Sequence, residues 1–74
     1  MHESIANVAA LGAELRRARE QLNLRQDEVA LAAGVATRTV HAVENGKETT
    51  RADVLFRLID ALGLELSLSE RRPG

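Results

Sequence analysis

Thr37, Arg38, Thr39 and His41 place four hydrogen-bonding side chains within five consecutive positions. The planar fork of an arginine can donate twice to an edge that carries two acceptors, such as O6 and N7 of guanine. Threonine hydroxyls can bond to bases or phosphates, and threonine methyls can meet the methyl of thymine. His41 can donate or accept, and its charge rises toward acid pH. Ala42, the next residue, offers at most an apolar contact. Arg25, Lys47 and Arg51 lie close by in sequence as candidate phosphate contacts, although a cation on a small domain is commonly only a solvated charge.

Such groups need a rigid frame, and the surrounding pattern provides one. Gln26–Ala33 and Thr37–Glu44 read as two short amphipathic helices joined by a tight turn at Gly34. Val29, Ala30 and Ala33 share one face of the first helix, and Val40 and Val43 share one face of the second. Ala30 is small where the helices must cross. Gly34 can adopt a left-handed backbone at little cost, and Val35 plugs the corner from inside. These are the requirements of a helix-turn-helix, whose second helix can enter a DNA major groove.

With its preceding leucine and arginine, the stretch LRQDEVALAAGVATRTVHAVENGK resembles the helix-turn-helix of the phage-repressor/XRE family of DNA-binding proteins. The similarity runs from about Leu11 to Leu64 and is carried by Gln26, Ala30, Gly34, Val40 and Glu44-Asn45-Gly46-Lys47. It implies sequence-specific binding to double-stranded DNA, with Gln26 anchoring a phosphate at the start of its helix. The chain departs from the family pattern at Arg25, where a Ser or Thr cap is usual, and at Ala36, where Ser often precedes the recognition helix. Thr37 is then the candidate cap. Ala42 stands where related repressors often carry a polar base reader, and Glu48-Thr49-Thr50 replaces a frequent proline.

A first helix is predicted from Ser4 or Asn7 to about Asn23, with Ile5, Val8, Leu11, Leu15, Ala18 and Leu22 on one stripe. Arg19 falls on that stripe, and Glu44 falls on the apolar side of its own helix beside Val40 and Val43. Two opposite charges on apolar faces suggest that they find one another, and the family resemblance implies the same pair. The alternative is that both snorkel to solvent. A fourth helix is predicted from Thr50, with Thr50 and Asp53 as a capping-box variant and Gly63 as its stop. Val54, Leu55, Leu58, Ile59 and Leu62 form its stripe. Phe56 lies at the edge, as core or as an interface anchor.

Beyond Gly63 the period changes to two: Leu64, Leu66 and Leu68 alternate with Glu65, Ser67 and Ser69. This predicts a strand over 64–70, which needs a partner for its backbone groups. The same strand of a second copy would serve, giving a two-stranded antiparallel intermolecular sheet with Phe56, Leu64, Leu66 and Leu68 as dimerisation residues. A disordered end or a fifth helix is the alternative, and Arg71-Arg72-Pro73-Gly74 reads as a frayed tail. Helix-turn-helix followed by L-x-L-x-L is similar to the HipB-type antitoxins. That resemblance implies a homodimer that represses its own operon and binds a HipA-like kinase toxin. The expected fold is therefore mainly α: a repressor-like domain of four to five helices over 4–63, followed by a dimerisation strand over 64–70.

Composition limits the other possibilities. Seventy-four residues make one small domain that buries only about 60% of its unfolded surface, so a second copy is a natural source of stability. There are no cysteines, which suits a reducing cytoplasm. No basic segment precedes an apolar run at the N-terminus, and no apolar stretch approaches the ~20 residues of a membrane span, so neither a signal peptide nor a membrane association is expected. Ten Lys and Arg stand against eleven Asp and Glu, a net charge of −1. With Asp27, Glu28 and Glu48 near the reading face, modest affinity per protomer is expected, and dimerisation matters more. An enzyme is not expected: Cys, Tyr and Trp are lacking, and there is no phosphate-cradling glycine loop or nucleophile–base pair. Neither a cofactor nor a small-molecule substrate is implied. His41 and Glu44 at i, i+3 could ligate a metal, but no metal site is read from two such residues. The expected function is a homodimeric repressor that reads a palindromic operator through helix 37–44. The rival is a protein-binding module that chiefly holds a toxin.

Overall fold

Asn7 starts the first helix: its side-chain oxygen accepts the backbone N–H of Ala10 at 2.8 Å, satisfying one of the unpaired donors of the first turn. The computed structural model describes residues 4–71, and the C-terminal tail expected at 71–74 therefore lies largely outside the described residues. Among them the elements are α1 (Val8–Gln21), α2 (Gln26–Ala33), α3 (Thr37–Glu44) and α4 (Ala52–Ala61). No helix among the described residues is long and apolar enough to cross a membrane.

Every helix closes on a residue with left-handed backbone: Asn23 at φ 58°, Gly34 at 71°, Gly46 at 87° and Gly63 at 70°. The following N–H then reaches back to a carbonyl in the last turn. Leu24 donates to Arg19 at 3.1 Å, Val35 to Ala30 at 3.0 Å, Lys47 to Ala42 at 3.1 Å and Leu64 to Ile59 at 3.0 Å. These bonds satisfy carbonyls that the helix cannot. At Gly34 the geometry has a further effect, because it turns the chain sharply enough for α3 to cross α2.

α2 packs on α3 and α4, and α1 packs on α3. The core consists of Leu15, Val29, Ala30, Ala33, Val40, Val43, Leu58, Ile59 and Leu62, with Leu11, Leu24, Val35, Val54 and Leu55 packed around it. Gly12 is also buried, a position the apolar stripe does not mark. A Cβ built there would lie 2.0 Å from the carbonyl oxygen of Val43, so α1 meets the end of α3 main chain to main chain.

Several expectations need correction. The described residues contain no β-strand, and 64–71 carry no regular structure. A strand exists only when paired, and one chain offers this segment no partner. Neither is there a fifth helix among the described residues, so the helix count is four. α4 begins at Ala52 with Arg51 as its cap residue, and no side-chain cap bond forms. The Thr50 hydroxyl instead donates to the Lys47 carbonyl at 2.6 Å, tying the loop rather than the helix. Ala36, not Thr37, is the cap residue of α3, because Thr37 has already entered the helix. Ile5 precedes α1 and Leu22 follows it, and both are exposed despite their place on the stripe. Phe56 is 55% exposed, so it is not core.

Gly12→Ala provides a test of the α1–α3 contact. In an open helix this change would gain up to about 1 kcal/mol. Here the added methyl forces α1 from Val43, and the expected outcome is a loss of about 1–3 kcal/mol in urea or thermal unfolding. An unchanged or raised melting point would show that the contact is soft.

Candidate nucleic-acid interface

The frame of the site is a buried carboxylate. Arg19 donates from Nε to Glu44 Oε2 at 2.7 Å and from Nη2 to Oε1 at 2.9 Å, a bidentate pair. Its remaining terminal nitrogen donates to the Leu24 carbonyl at 2.8 Å. Gln26 Nε2 donates to Glu44 Oε1 at 3.0 Å. The side chains of Arg19 and Glu44 are only 12% and 4% exposed. Three elements meet here: the end of α1, the first residue of α2 and the last of α3. Burial by itself would raise the Glu44 carboxyl, but the hydrogen bonds from Arg19 and Gln26 and the guanidinium charge outweigh it and hold the group below its ordinary 4.5. The hydrogen bond to Glu44 in turn raises Arg19.

Gln26 thus already has a partner inside the protein, a role the sequence does not reveal. Its amide hydrogen bond to Glu44 ties the start of α2 to the end of α3. Arg25, the preceding residue, is exposed: Nε donates to Asp27 Oδ1 at 3.0 Å, and its backbone N–H donates to Glu28 Oε1 at 2.8 Å. The second bond is half of a capping box, and it covers a donor that the absent Ser or Thr does not serve.

On α3, Val40 and Val43 face the core while Thr37, Arg38 and His41 are exposed; Thr39 and Ala42 are half-buried. Between α3, the following loop and the start of α4 lies a shallow depression of about 340 Å³. Arg38, Thr39, Lys47 and Arg51 all line it, so the fold gathers four of the candidate residues along one edge. Arg51 Nε contacts Asp53 Oδ1 at 3.1 Å. Thr37 and His41 stand on the outer side of α3, and Gln26 is joined to α3 through Glu44. Thr49 and Thr50 also line the depression. They lie in an aperiodic loop, where spacing gives no signal. The Asn45 side chain also ties the end of α3, its Nδ2 donating to the His41 carbonyl at 2.7 Å. Among the described residues no cluster of three or more His, Asp or Glu side chains could hold a metal ion.

A tight α2–turn–α3 unit, braced by α1 and α4 and presenting one face of α3 outward, defines a helix-turn-helix protein. The chain belongs to the XRE-type helix-turn-helix family, whose model, described as Helix-turn-helix, matches residues 15–68. An uncharacterized HTH-type transcriptional regulator, y4mF of Sinorhizobium fredii, is 36% identical over 97% of this chain and 99% of its own length. Among solved structures, HipB in a HipA–HipB–O2–O3 complex superposes with a TM-score of 0.90 at 22% identity, over 96% of this chain and 100% of that one. The restriction-modification controller protein C.AhdI of Aeromonas hydrophila superposes at 0.72 and 28% identity, over 78% of this chain and 88% of that one. A HipB–O4 20mer complex gives 0.89 at 22% identity, over 96% of this chain and all of that one.

Removing one partner of the Arg19–Glu44 pair leaves a buried charge. Arg19→Ala is therefore expected to lose about 3–5 kcal/mol, whereas replacing both by apolar residues of similar volume loses far less. The pH dependence has a definite sign. Because the folded Glu44 carboxyl lies below its ordinary 4.5, its contribution is complete above about that pH and is lost as pH falls through the folded value. Urea melts of wild type and Glu44→Gln should converge below that point; a constant gap would remove the carboxylate from the account.

Proposed function

We propose that this chain is a homodimeric, sequence-specific double-stranded DNA-binding repressor that reads a palindromic operator through α3. The observation that carries the reading is the outward face of α3, where Arg38 stands beside a depression edged by Lys47 and Arg51, over a core that fixes the helix. Arg38 donates to guanine in the major groove, Thr37, Thr39 and His41 contact bases or neighbouring phosphates, and Arg25, Gln26, Lys47 and Arg51 meet the backbone. Gln26 retains a backbone N–H at the start of α2 for a phosphate, its side chain being tied to Glu44. Membership of the helix-turn-helix family and a relative described as a transcriptional regulator support this function. It belongs in the cytoplasm, where the DNA is.

In this reading residues 4–63 bind DNA and 64–70 join two copies. Leu64, Leu66 and Leu68 are exposed, Leu68 at 93%, and Phe56 is exposed on α4. Pairing of the segment with its counterpart would cover these side chains, satisfy the backbone of both copies and set the half-sites about one helical turn apart. The likeness to HipB in its complex with HipA supports a further role as antitoxin to a HipA-like kinase. The second reading is that holding such a toxin is the main task. The net charge of −1 favours it, since it limits affinity for a polyanion.

Gel-shift assays with the chain's own upstream DNA at low and physiological salt test the first reading. Arg38→Ala should weaken binding by about 1–3 kcal/mol and relax base preference at one position in each half-site. Lys47→Ala should weaken all duplexes alike and lower the salt slope by about one. Sedimentation should find wild type dimeric and Leu66→Lys monomeric. Equal affinity of Arg38→Ala for the cognate operator would exclude Arg38 as reader, and a monomeric wild type would exclude the terminal ribbon.

A further inference from the structure

A second depression, of about 420 Å³, lies between α1, α4 and the segment that follows α4. Leu11, Leu15 and Ala18 of α1 and Ile59 of α4 line it, and Leu64 and Leu66 form one wall. These two leucines remain 41% and 49% exposed, an unfavourable state for apolar side chains. Glu14 and Arg17 at the edge bond to each other at 2.6 Å, so an apolar occupant strands neither charge. Leu68 lies beyond the wall and is 93% exposed, so this copy does not fill the depression with it. No residue of α2, α3 or the loop before α4 takes part, which leaves the face proposed for DNA untouched.

A second copy can fill it, and the residue types select how. Two antiparallel segments that keep their leucines on one face are related by a two-fold axis passing at a residue. An axis at Glu65 sets that carboxylate against its own counterpart, and like charges directly opposite are destabilising. An axis at Ser67 opposes Leu64 to the partner's Glu70, and one at Leu68 does the same to Leu66. An axis at Leu64 brings Leu68 against the partner's Asp60, inside a helix whose backbone is already bonded. At Leu66 the match is apolar throughout: Leu66 faces its counterpart, and Leu64 faces the partner's Leu68. Because Leu64 is part of the wall, this pairing lowers the partner's Leu68 into the depression. Resting on the homodimeric reading above, we propose that the depression is a socket for a second copy's Leu68, the two 64–70 segments lying antiparallel about Leu66. Each copy fills the other's socket, and neither socket is complete alone.

The chain has no cysteine, so single thiols can map the register on the full-length protein. Facing Cα atoms in an antiparallel pair lie about 4.5–5.5 Å apart, within disulfide reach. Under mild oxidation Leu66→Cys should cross-link to itself. Glu65→Cys and Ser67→Cys should each stay uncross-linked alone and join when mixed. Leu68→Ala should raise the dimer dissociation constant about 100-fold, roughly tenfold from each of two half-open sockets, and Ser69→Ala on the other face should leave it unchanged. In a mixture of isotope-labelled and unlabelled wild type, NOEs between copies should connect the Leu68 methyls with Ala18 or Ile59. Self-cross-linking at position 65 or 67 overturns the register. NOEs from Leu68 to the depression within one copy only, or a Leu68→Ala dimer as tight as wild type, overturn the socket. A monomeric wild type defeats the homodimeric reading itself, an outcome that sedimentation separates from a dimer joined in another way.

Discussion

The Glu44 carboxylate ties α3 to both of the helices that precede it. Its two oxygens receive Arg19 from α1 and Gln26 from α2, while Glu44 itself is the last residue of α3. A charge so enclosed cannot remain ionised without those partners, and the partners lose their geometry without it. A buried ion pair of this kind adds little net stability over apolar packing. Its value here is directional, since the bidentate fork admits few relative placements of the three elements. In a domain this small, with nine buried apolar residues among those described, direction is harder to obtain than cohesion.

The division between what the sequence reveals and what it hides follows the physics. α2 and α3 are legible to the residue because apolar spacing, Gly34 and the following Val35 all specify one turn. Boundaries blur where several residues could start a helix: Ser4 and Asn7 both have capping oxygens, and only Asn7 uses one. Thr50 looked equally suitable for α4, but a nearer carbonyl takes its hydroxyl. Gly12 is silent in a hydrophobic pattern because its significance lies in the missing side chain. The arrangement of Gln26 is silent too, since an amide has no preferred partner until two helices bring a carboxylate to it. The alternation after Gly63 is plain in the sequence, but 64–71 form no strand, because nothing in the single chain pairs with their backbone.

The proposed reading face and its frame share few residues. Arg38 and His41 are exposed, and Lys47 and Arg51 lie in or beside a loop; none of them contributes to the buried core. The frame is instead built from valines, leucines and the enclosed ion pair. Ala42 is the intermediate case, half-buried and yet turned outward. Substitutions on the face are thus free to change what is bound without unsettling the fold, whereas changes in the frame affect both together.

The meeting of α1 and α3 at Gly12 has a mechanical consequence. Backbone rests against backbone there, so no side chain can switch rotamer to absorb a push on the end of α3. The joint behaves as a rigid bearing. Any accommodation to an imperfect docking surface must then be taken up downstream, between Lys47 and Arg51, where the chain is held by a threonine hydroxyl and a few turn bonds in place of interlocked helices.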